Sequence, residues 1–129
     1  MTLLSTKPTL NETALRDPSR PVHRIADDLL PYLRVLVDEF APQHVILFGS
    51  YAYGEPDENS DIDLLIVKPL SQVGWKEAIS IRRKWDQFCK TQRVFPFDLL
   101  VESPEFHQER LRRGGAFYTE INSKGLELI

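Results

Sequence analysis

The hydrophobic pattern divides the chain into a long helical region followed by short apolar runs. From residue 22 to residue 40, apolar side chains recur every three or four positions, which predicts a helix that packs on one face. Pro31 lies inside this region and cannot donate a backbone hydrogen bond, so we expect a kinked helix or two short ones, closed by Pro42. Two apolar runs rich in β-branched residues, His44–Phe48 and Ile62–Val67, predict the first two strands.

The second half of the chain alternates helix and strand. Residues 71–92 have helical spacing, with Ser71 as the N-cap. The expected buried stripe of this helix consists of Ala78, Ile81, Trp85 and Phe88. A third strand follows in "VFPFDLLV", residues 94–101, and "SPEFHQERLRRG" predicts a helix that ends at Gly114 and Gly115, before a last helix and a short extended end. This order predicts an α/β (α+β) fold with a small mixed sheet of three or four strands backed by helices.

Composition is typical of a cytoplasmic globular protein. Residues 1–21 mix Thr, Ser, Pro and charge, which predicts a loosely ordered leader, with a short helical turn around Glu12 to Arg16, before one domain over residues 22–129. The single cysteine, Cys89, cannot form an internal disulfide, as expected for a reducing cytoplasm. No apolar run is long enough for a membrane span, and the net charge of -3 gives no reason to expect direct nucleic-acid binding.

Two aspartates interrupt the apolar pattern at the start of the second predicted strand. Asp61 and Asp63 are two residues apart, so their side chains point to the same face of an extended chain. Two like charges this close destabilise the folded protein unless a cation compensates them. Mg²⁺ prefers hard oxygen ligands and keeps coordination positions open for substrate phosphates. The pair therefore predicts a magnesium site.

A third aspartate and a Gly-Ser turn extend this site. Asp98 interrupts the apolar run of the third strand, and three carboxylates can hold two metal ions. The turn at Gly49 and Ser50 offers backbone N–H groups and a hydroxyl to phosphate oxygens. A Walker A loop is excluded, because Glu55 and Pro56 stand where Lys and Ser or Thr are required. These features favour a nucleoside triphosphate bound together with metal ions.

The stretches "LFGSYAYGEPDENSDIDLLIV" and "FPFDLLV" resemble nucleotidyltransferases of the DNA polymerase beta type. With the later "ESPEFHQERLRRGGAFYTEI", the chain is similar to the minimal nucleotidyltransferases over about residues 22–129. The resemblance implies the nucleotidyltransferase fold and the use of ATP with two Mg²⁺ ions. It implies that Gly49 and Ser50 contact the triphosphate and that three catalytic carboxylates ligate the metal ions. These carboxylates are Asp61, Asp63 and Asp98.

Many minimal nucleotidyltransferases are encoded beside a partner with a HEPN domain and act as antitoxins. The resemblance therefore implies transfer of AMP from ATP onto a hydroxyl, expected to be a tyrosine, of a HEPN-type toxin, within a hetero-oligomer. Two alternatives stay open: transfer to RNA or a small molecule, and a binding antitoxin whose site is weak or silent. The second is favoured by Tyr53, which stands where the family often has arginine, unless Lys68, Arg82 or another basic residue supplies the missing charge.

Overall fold

The sheet contains four strands in the order β3-β2-β1-β4 in a computed structural model that describes residues 8–90 and 95–129. The strands are β1 (His44–Phe48), β2 (Ile62–Val67), β3 (Phe97–Glu102) and β4 (Leu126–Glu127). Strand β1 pairs antiparallel with β2 and β4, whereas β2 pairs parallel with β3. The predicted mixed sheet is confirmed. Val94, expected in the third strand, lies outside the described residues.

Six α-helices of the described residues surround this sheet. They are α1 (Glu12–Leu15), α2 (Ala26–Val35), α3 (Ser50–Tyr53), α4 (Gly74–Phe88), α5 (Pro104–Arg113) and α6 (Ala116–Lys124). A 3₁₀ turn, Pro21–Ile25, leads into α2, and a π-helical turn, Leu36–Phe40, follows it. Pro31 therefore does not divide the helix. It lies inside α2, and the chain changes from α-helical to π-helical only after Val35. None of the helices in the described residues is long and apolar enough to cross a membrane.

The N-terminal end of α4 is set by close packing rather than by a capping side chain. A Cβ atom added to Gly74 would lie 3.2 Å from the carbonyl carbon of Val101 and closer still to its oxygen. The predicted N-cap at Ser71 is therefore wrong, because the helix begins where glycine allows this approach to β3. Phe88 is also not part of the buried stripe. Its side chain is 53% exposed at the last helical position, and the next residue, Cys89, is buried.

The two faces of the sheet carry different helices. Along β2, Ile62, Leu64 and Ile66 belong to the main core, which includes residues of α2 and α4. Leu65 and Val67 point to the other face, where Ile121 of α6 packs against them. The helix predicted over "SPEFHQERLRRG" is present as α5, and the Ser103 side chain caps it by accepting a hydrogen bond from the backbone N–H group of Phe106.

A buried polar cluster fixes α5 and α6 to the end of β3. Glu102, the last residue of β3, is 4% exposed and accepts a hydrogen bond from the hydroxyl of Tyr118 on α6. Its other carboxylate oxygen lies 3.2 Å from Nδ1 of the buried His107 on α5. Burial, together with the hydrogen bond to Glu102, raises the pKa of Tyr118 to about 12, so the phenol stays protonated as a donor at neutral pH. These contacts position α6 on the sheet.

The segment preceding residue 22 packs against the domain from residue 8 onward. The predicted helical turn is present as α1, and Leu15 at its end is fully buried. The N–H group of Asn11 donates to the carbonyl oxygen of Leu128 at 2.8 Å, which ties this segment to the C-terminal strand region. Residues 8–21 therefore form more contacts than a loose leader would, whereas residues 1–7 lie outside the described part of the chain.

Replacing Leu15 with alanine is expected to lower the free energy of unfolding by about 2–5 kcal/mol, because it removes a fully buried side chain and leaves a cavity. Urea unfolding monitored by circular dichroism measures this difference. The matched control is Thr13→Ala, an exposed position in the same helix, which should change the value by less than about 0.5 kcal/mol. Equal, small effects of both variants would show that this segment does not stabilise the domain.

Candidate active site

The register of the parallel strands brings two of the predicted carboxylates together. Asp63 is the second residue of β2, Asp98 is the second residue of β3, and the two are direct partners in the β2–β3 pair. Asp63 points to the same face of the sheet as Leu65 and Val67, which is the face covered by α6. The two carboxylates thus lie at the start of two neighbouring strands, beside the turn that leaves β1.

The environment of Asp63 strongly disfavours the negatively charged form of its carboxyl group. Partial burial, the charges of Asp98 and Asp61, and a hydrogen bond with Asp98 raise the pKa of Asp63 to about 6. Among the described residues, no basic side chain lowers the pKa of Asp63. The nearby negative charges and the partial burial therefore disfavour the ionised form of Asp63. A cation at this position would relieve the repulsion.

Asp61 lies two residues before Asp63, in the exposed segment that leads into β2. Its charge reaches Asp63, but residues 8–90 and 95–129 contain no group of three His, Cys, Asp or Glu side chains arranged to hold one metal ion. Coordination of one ion by all three aspartates would therefore require these side chains to move closer together. The oxygen donors fit Mg²⁺ in chemical type. The predicted ligand set therefore stays a prediction, supported by the adjacent pair.

Gly49 is required at the turn for two physical reasons. Its φ angle of +75° lies in a region that residues with a Cβ atom rarely adopt. In addition, a Cβ atom built at this position would lie 3.1 Å from Cγ of Asp63 and closer still to Oδ2. The backbone of the turn therefore lies directly against the Asp63 carboxylate, and any larger residue would displace that carboxylate.

Ser50 begins the short helix α3, one residue after Gly49. Tyr51 and Ala52 are buried, so Tyr51 belongs to the core, whereas Tyr53 is only partly buried at the end of the helix. Ser50 and Tyr53 are three residues apart and lie on the same side of α3. The roles of Gly49 and Ser50 in contacting a triphosphate stay a prediction, and their position beside Asp63 agrees with it.

Lys68 and Arg82, the two basic residues that could replace a cation at position 53, both form other contacts. Lys68 follows the opposite end of β2, five residues or roughly 16 Å from Asp63 along an extended strand. It forms a partly buried ion pair with Glu77. Arg82 donates from Nη2 to the carbonyl oxygen of Phe97 at 2.8 Å, next to Asp98 in the chain. Lys68 is thus excluded from the site, and Arg82 lies beside its outer edge.

Two other basic residues near α3 were not identified from the sequence. Arg20 donates to the carbonyl oxygen of Ala52 at 3.0 Å, and the ammonium group of Lys124 lies 5.8 Å from the centre of the Tyr53 ring. Both are far from the Gly-Ser turn in sequence, and no local motif contains them. Lys124 comes close to α3 because the C-terminal strand pairs with β1. The sequence could have indicated this lysine only through a correct prediction of that strand pairing.

Comparisons with known proteins agree with this arrangement. Residues 32–94, which include β1, the turn and β2, match the family model described as "Nucleotidyltransferase domain". The chain is 33% identical over 85 residues to the "Putative protein adenylyltransferase MJ0141" of Methanocaldococcus jannaschii, covering 65% of this chain and 76% of that protein. It is 36% identical over 47 residues to the "Putative protein adenylyltransferase MJ1379" of the same organism, covering 36% of this chain and 47% of that protein. The resemblance predicted from the Gly-Ser turn and the paired aspartates is thus confirmed, and the chain belongs to the nucleotidyltransferase family.

Proposed function

We propose that this nucleotidyltransferase moves AMP from ATP onto a hydroxyl group of a partner protein. The observation that carries the proposal is the placement of the Asp63 and Asp98 carboxylates side by side against the Gly49 turn. Family membership supports nucleotidyl transfer, and the names of both relatives, protein adenylyltransferases, favour AMP and a protein acceptor.

In the proposed reaction, the oxygen of the acceptor hydroxyl attacks the α-phosphorus of ATP in line with the departing group. The bond from the α-phosphorus to the bridging oxygen breaks, and pyrophosphate leaves with the electron pair. Asp98 is exposed and can reach the hydroxyl of a macromolecule, so we assign it the role of accepting the hydroxyl proton. Mg²⁺ held by Asp61, Asp63 and Asp98 would supply positive charge to the phosphates. Gly49 and Ser50 would hold the triphosphate beside them.

The finer part of the proposal concerns the partner. The resemblance to minimal nucleotidyltransferases leads us to propose a HEPN-domain toxin as the acceptor, modified on a tyrosine and thereby silenced. The protein would then act as an antitoxin in a hetero-oligomer in the cytoplasm. Tyr53 favours one alternative, a binding antitoxin without transfer, because the position carries no positive charge.

Label transfer in an extract tests the proposal. The purified protein is incubated with Mg²⁺ and ATP labelled at the α-phosphate in extract from its source cells, beside the Asp61→Asn/Asp63→Asn double variant. We expect one labelled protein band that is absent with the variant, and mass spectrometry of the band should locate AMP on a tyrosine. Label in RNA or a small molecule would contradict the protein acceptor. Absence of label, together with a stable partner in a pull-down, would establish the binding alternative.

A further inference from the structure

A cleft of about 380 Å³ lies between the end of α3 and the end of α6. One of its lining residues, Gly54, packs against Ser50, since a Cβ atom added to Gly54 would lie 2.8 Å from Cα of Ser50. The lining of the cleft includes Tyr53 and Gly54 from the α3 side, Arg20 from the segment before α2, and Lys124 from the last position of α6. Two of these four residues are basic, whereas the carboxylate pair on the other side of the turn is acidic. The cleft therefore places positive charge within reach of the proposed triphosphate site.

The sheet register fixes where Lys124 lies relative to the carboxylates. Strand β4 runs antiparallel to β1, with Leu126 opposite Leu47. Because the two strands are antiparallel, the chain before Leu126, which includes Lys124 at the end of α6, lies toward the end of β1 from which the Gly49 turn starts. On the other side of the turn, Gly49 lies against the Asp63 carboxylate. Asp63 therefore lies against the start of the turn on the face that α6 covers, and Lys124 lies beside the far end of α3, which follows the turn.

The side chain of Lys124 is directed toward α3. Its Nζ atom lies 5.8 Å from the centre of the Tyr53 ring, and Tyr53 is one helical turn beyond Ser50. No ion pair found within residues 8–90 and 95–129 includes Lys124. In that part of the protein its charge is therefore not neutralised by a carboxylate, and it is open to an anionic ligand.

Arg20 holds this lysine in place. One nitrogen of its guanidinium group, Nη1, donates to the carbonyl oxygen of Lys124 at 2.8 Å and to that of Ala52 at 3.0 Å. A single cation thus joins the ends of α3 and α6. Its position is fixed by two backbone acceptors, and it adds positive charge to the same cleft.

We propose that Lys124 binds the β- and γ-phosphates of the nucleoside triphosphate and that Arg20 is its positioning residue. The inference rests on the proposed function, since it assumes that the reacting α-phosphate lies at the carboxylates. Asp63 lies against Gly49 at the start of α3 and Lys124 lies beside the other end of this one-turn helix, so Lys124 contacts the part of the substrate that departs as pyrophosphate. It supplies from α6 the charge that Tyr53 does not supply from α3.

Calorimetric titration of Lys124→Ala with nucleotides in excess Mg²⁺ tests the proposal. We expect about ten-fold weaker binding of every nucleoside triphosphate that the wild-type protein binds, because one charge-assisted phosphate contact is lost. Binding of AMP, which lacks the β- and γ-phosphates, should be unchanged, and Lys124→Arg should retain most of the affinity. Lys76→Ala is the matched control, since Lys76 also lies over an aromatic ring, Trp75, at 5.5 Å but on α4.

The outcomes separate this inference from the proposed function. Wild-type affinity for ATP in Lys124→Ala, or equal losses for ATP and AMP, would overturn the role of Lys124 and leave nucleotidyl transfer intact. A wild-type protein that binds no nucleoside triphosphate would overturn both. Tyr53 stands where the positive charge is missing, so Tyr53→Arg should restore ATP binding to Lys124→Ala. Failure of this rescue would show that the phosphates bind elsewhere.

A double-mutant cycle tests the role assigned to Arg20. Arg20→Gln should weaken ATP binding in the wild-type background but add little in the Lys124→Ala background, because it acts through that lysine. Additive losses of affinity would contradict a positioning role. Thermal unfolding of each variant, measured without nucleotide, separates lost affinity from lost folding.

Discussion

Asparagine at position 63 is expected to abolish nucleotidyl transfer while making the metal-free protein more stable. The substitution removes the partly buried carboxylate that lies between Asp61, Asp98 and the Gly49 turn. Loss of one such charged group from the proposed catalytic centre should reduce the transfer rate by at least roughly 10²–10³-fold. The activity and the stability should therefore change in opposite directions, which a residue with a purely structural role would not produce.

The gain in stability has a defined pH dependence. Asp63 has an ordinary pKa of 3.8 and a pKa of about 6 in the folded protein, so folding binds its proton more tightly. The wild-type protein therefore loses stability relative to Asp63→Asn as pH rises from about 4 to about 6, and the difference is constant above that. The full difference in pKa corresponds to at most about 3 kcal/mol, and because the side chain is partly solvated we expect about 1–2 kcal/mol.

Urea unfolding at pH 4 and at pH 8 in the presence of a chelator measures this effect. The two proteins should be almost equally stable at pH 4, and Asp63→Asn should be the more stable one at pH 8. Glu58→Gln is the control, since it removes one negative charge from the exposed loop before β2 and should leave both stability and transfer nearly unchanged. An asparagine variant that is less stable than the wild type at pH 8 would refute the electrostatic account of the site.

Alanine at position 49 should destroy activity and stability together. The positive φ angle costs about 1–3 kcal/mol for a residue with a Cβ atom, and the contact with the Asp63 carboxylate adds a similar amount. We expect the free energy of unfolding to fall by roughly 2–5 kcal/mol and transfer to be lost, because the displaced carboxylate can no longer pair with Asp98.

Two comparisons separate strain from the contact with Asp63. Gly114 has a φ angle of +79° but nothing within 4 Å of an added Cβ atom, so Gly114→Ala reports the backbone strain alone. In an Asp63→Ala background the nearest remaining atom to the new Cβ is Cβ of residue 63, at 3.5 Å, an ordinary contact. The cost of Gly49→Ala should then fall to that of Gly114→Ala. An unchanged cost would show that the turn is not packed against the carboxylate.

The strands and the carboxylate pair were predictable because their signals are local. Strands β1 and β2 have the predicted bounds. The aspartates that interrupt the apolar runs of β2 and β3 predicted that their carboxylates would lie close together. The N-terminal end of α4 was not predictable from capping preferences, because it depends on the approach of Gly74 to β3. The buried stripe also differs at its end, since Phe88 is 53% exposed and the next residue, Cys89, is buried instead.

The basic half of the site could not be deduced from the sequence, because it is assembled from distant segments. Lys124 reaches the turn through the pairing of β4 with β1, and Arg20 through contacts with two backbone carbonyls. Neither interaction has a sequence pattern of its own. Lys68, which lies near the aspartates in sequence, instead pairs with Glu77 at the opposite end of β2.

The proposed reaction transfers the nucleotide portion of ATP and releases pyrophosphate. Parallel reactions with ATP labelled at the α-phosphate and at the γ-phosphate, each with Mg²⁺ and cell extract, test it most directly. We expect α-label in the acceptor and γ-label in pyrophosphate, with neither product formed by Asp98→Asn. γ-Label in the acceptor, or an acceptor without α-label, would contradict it.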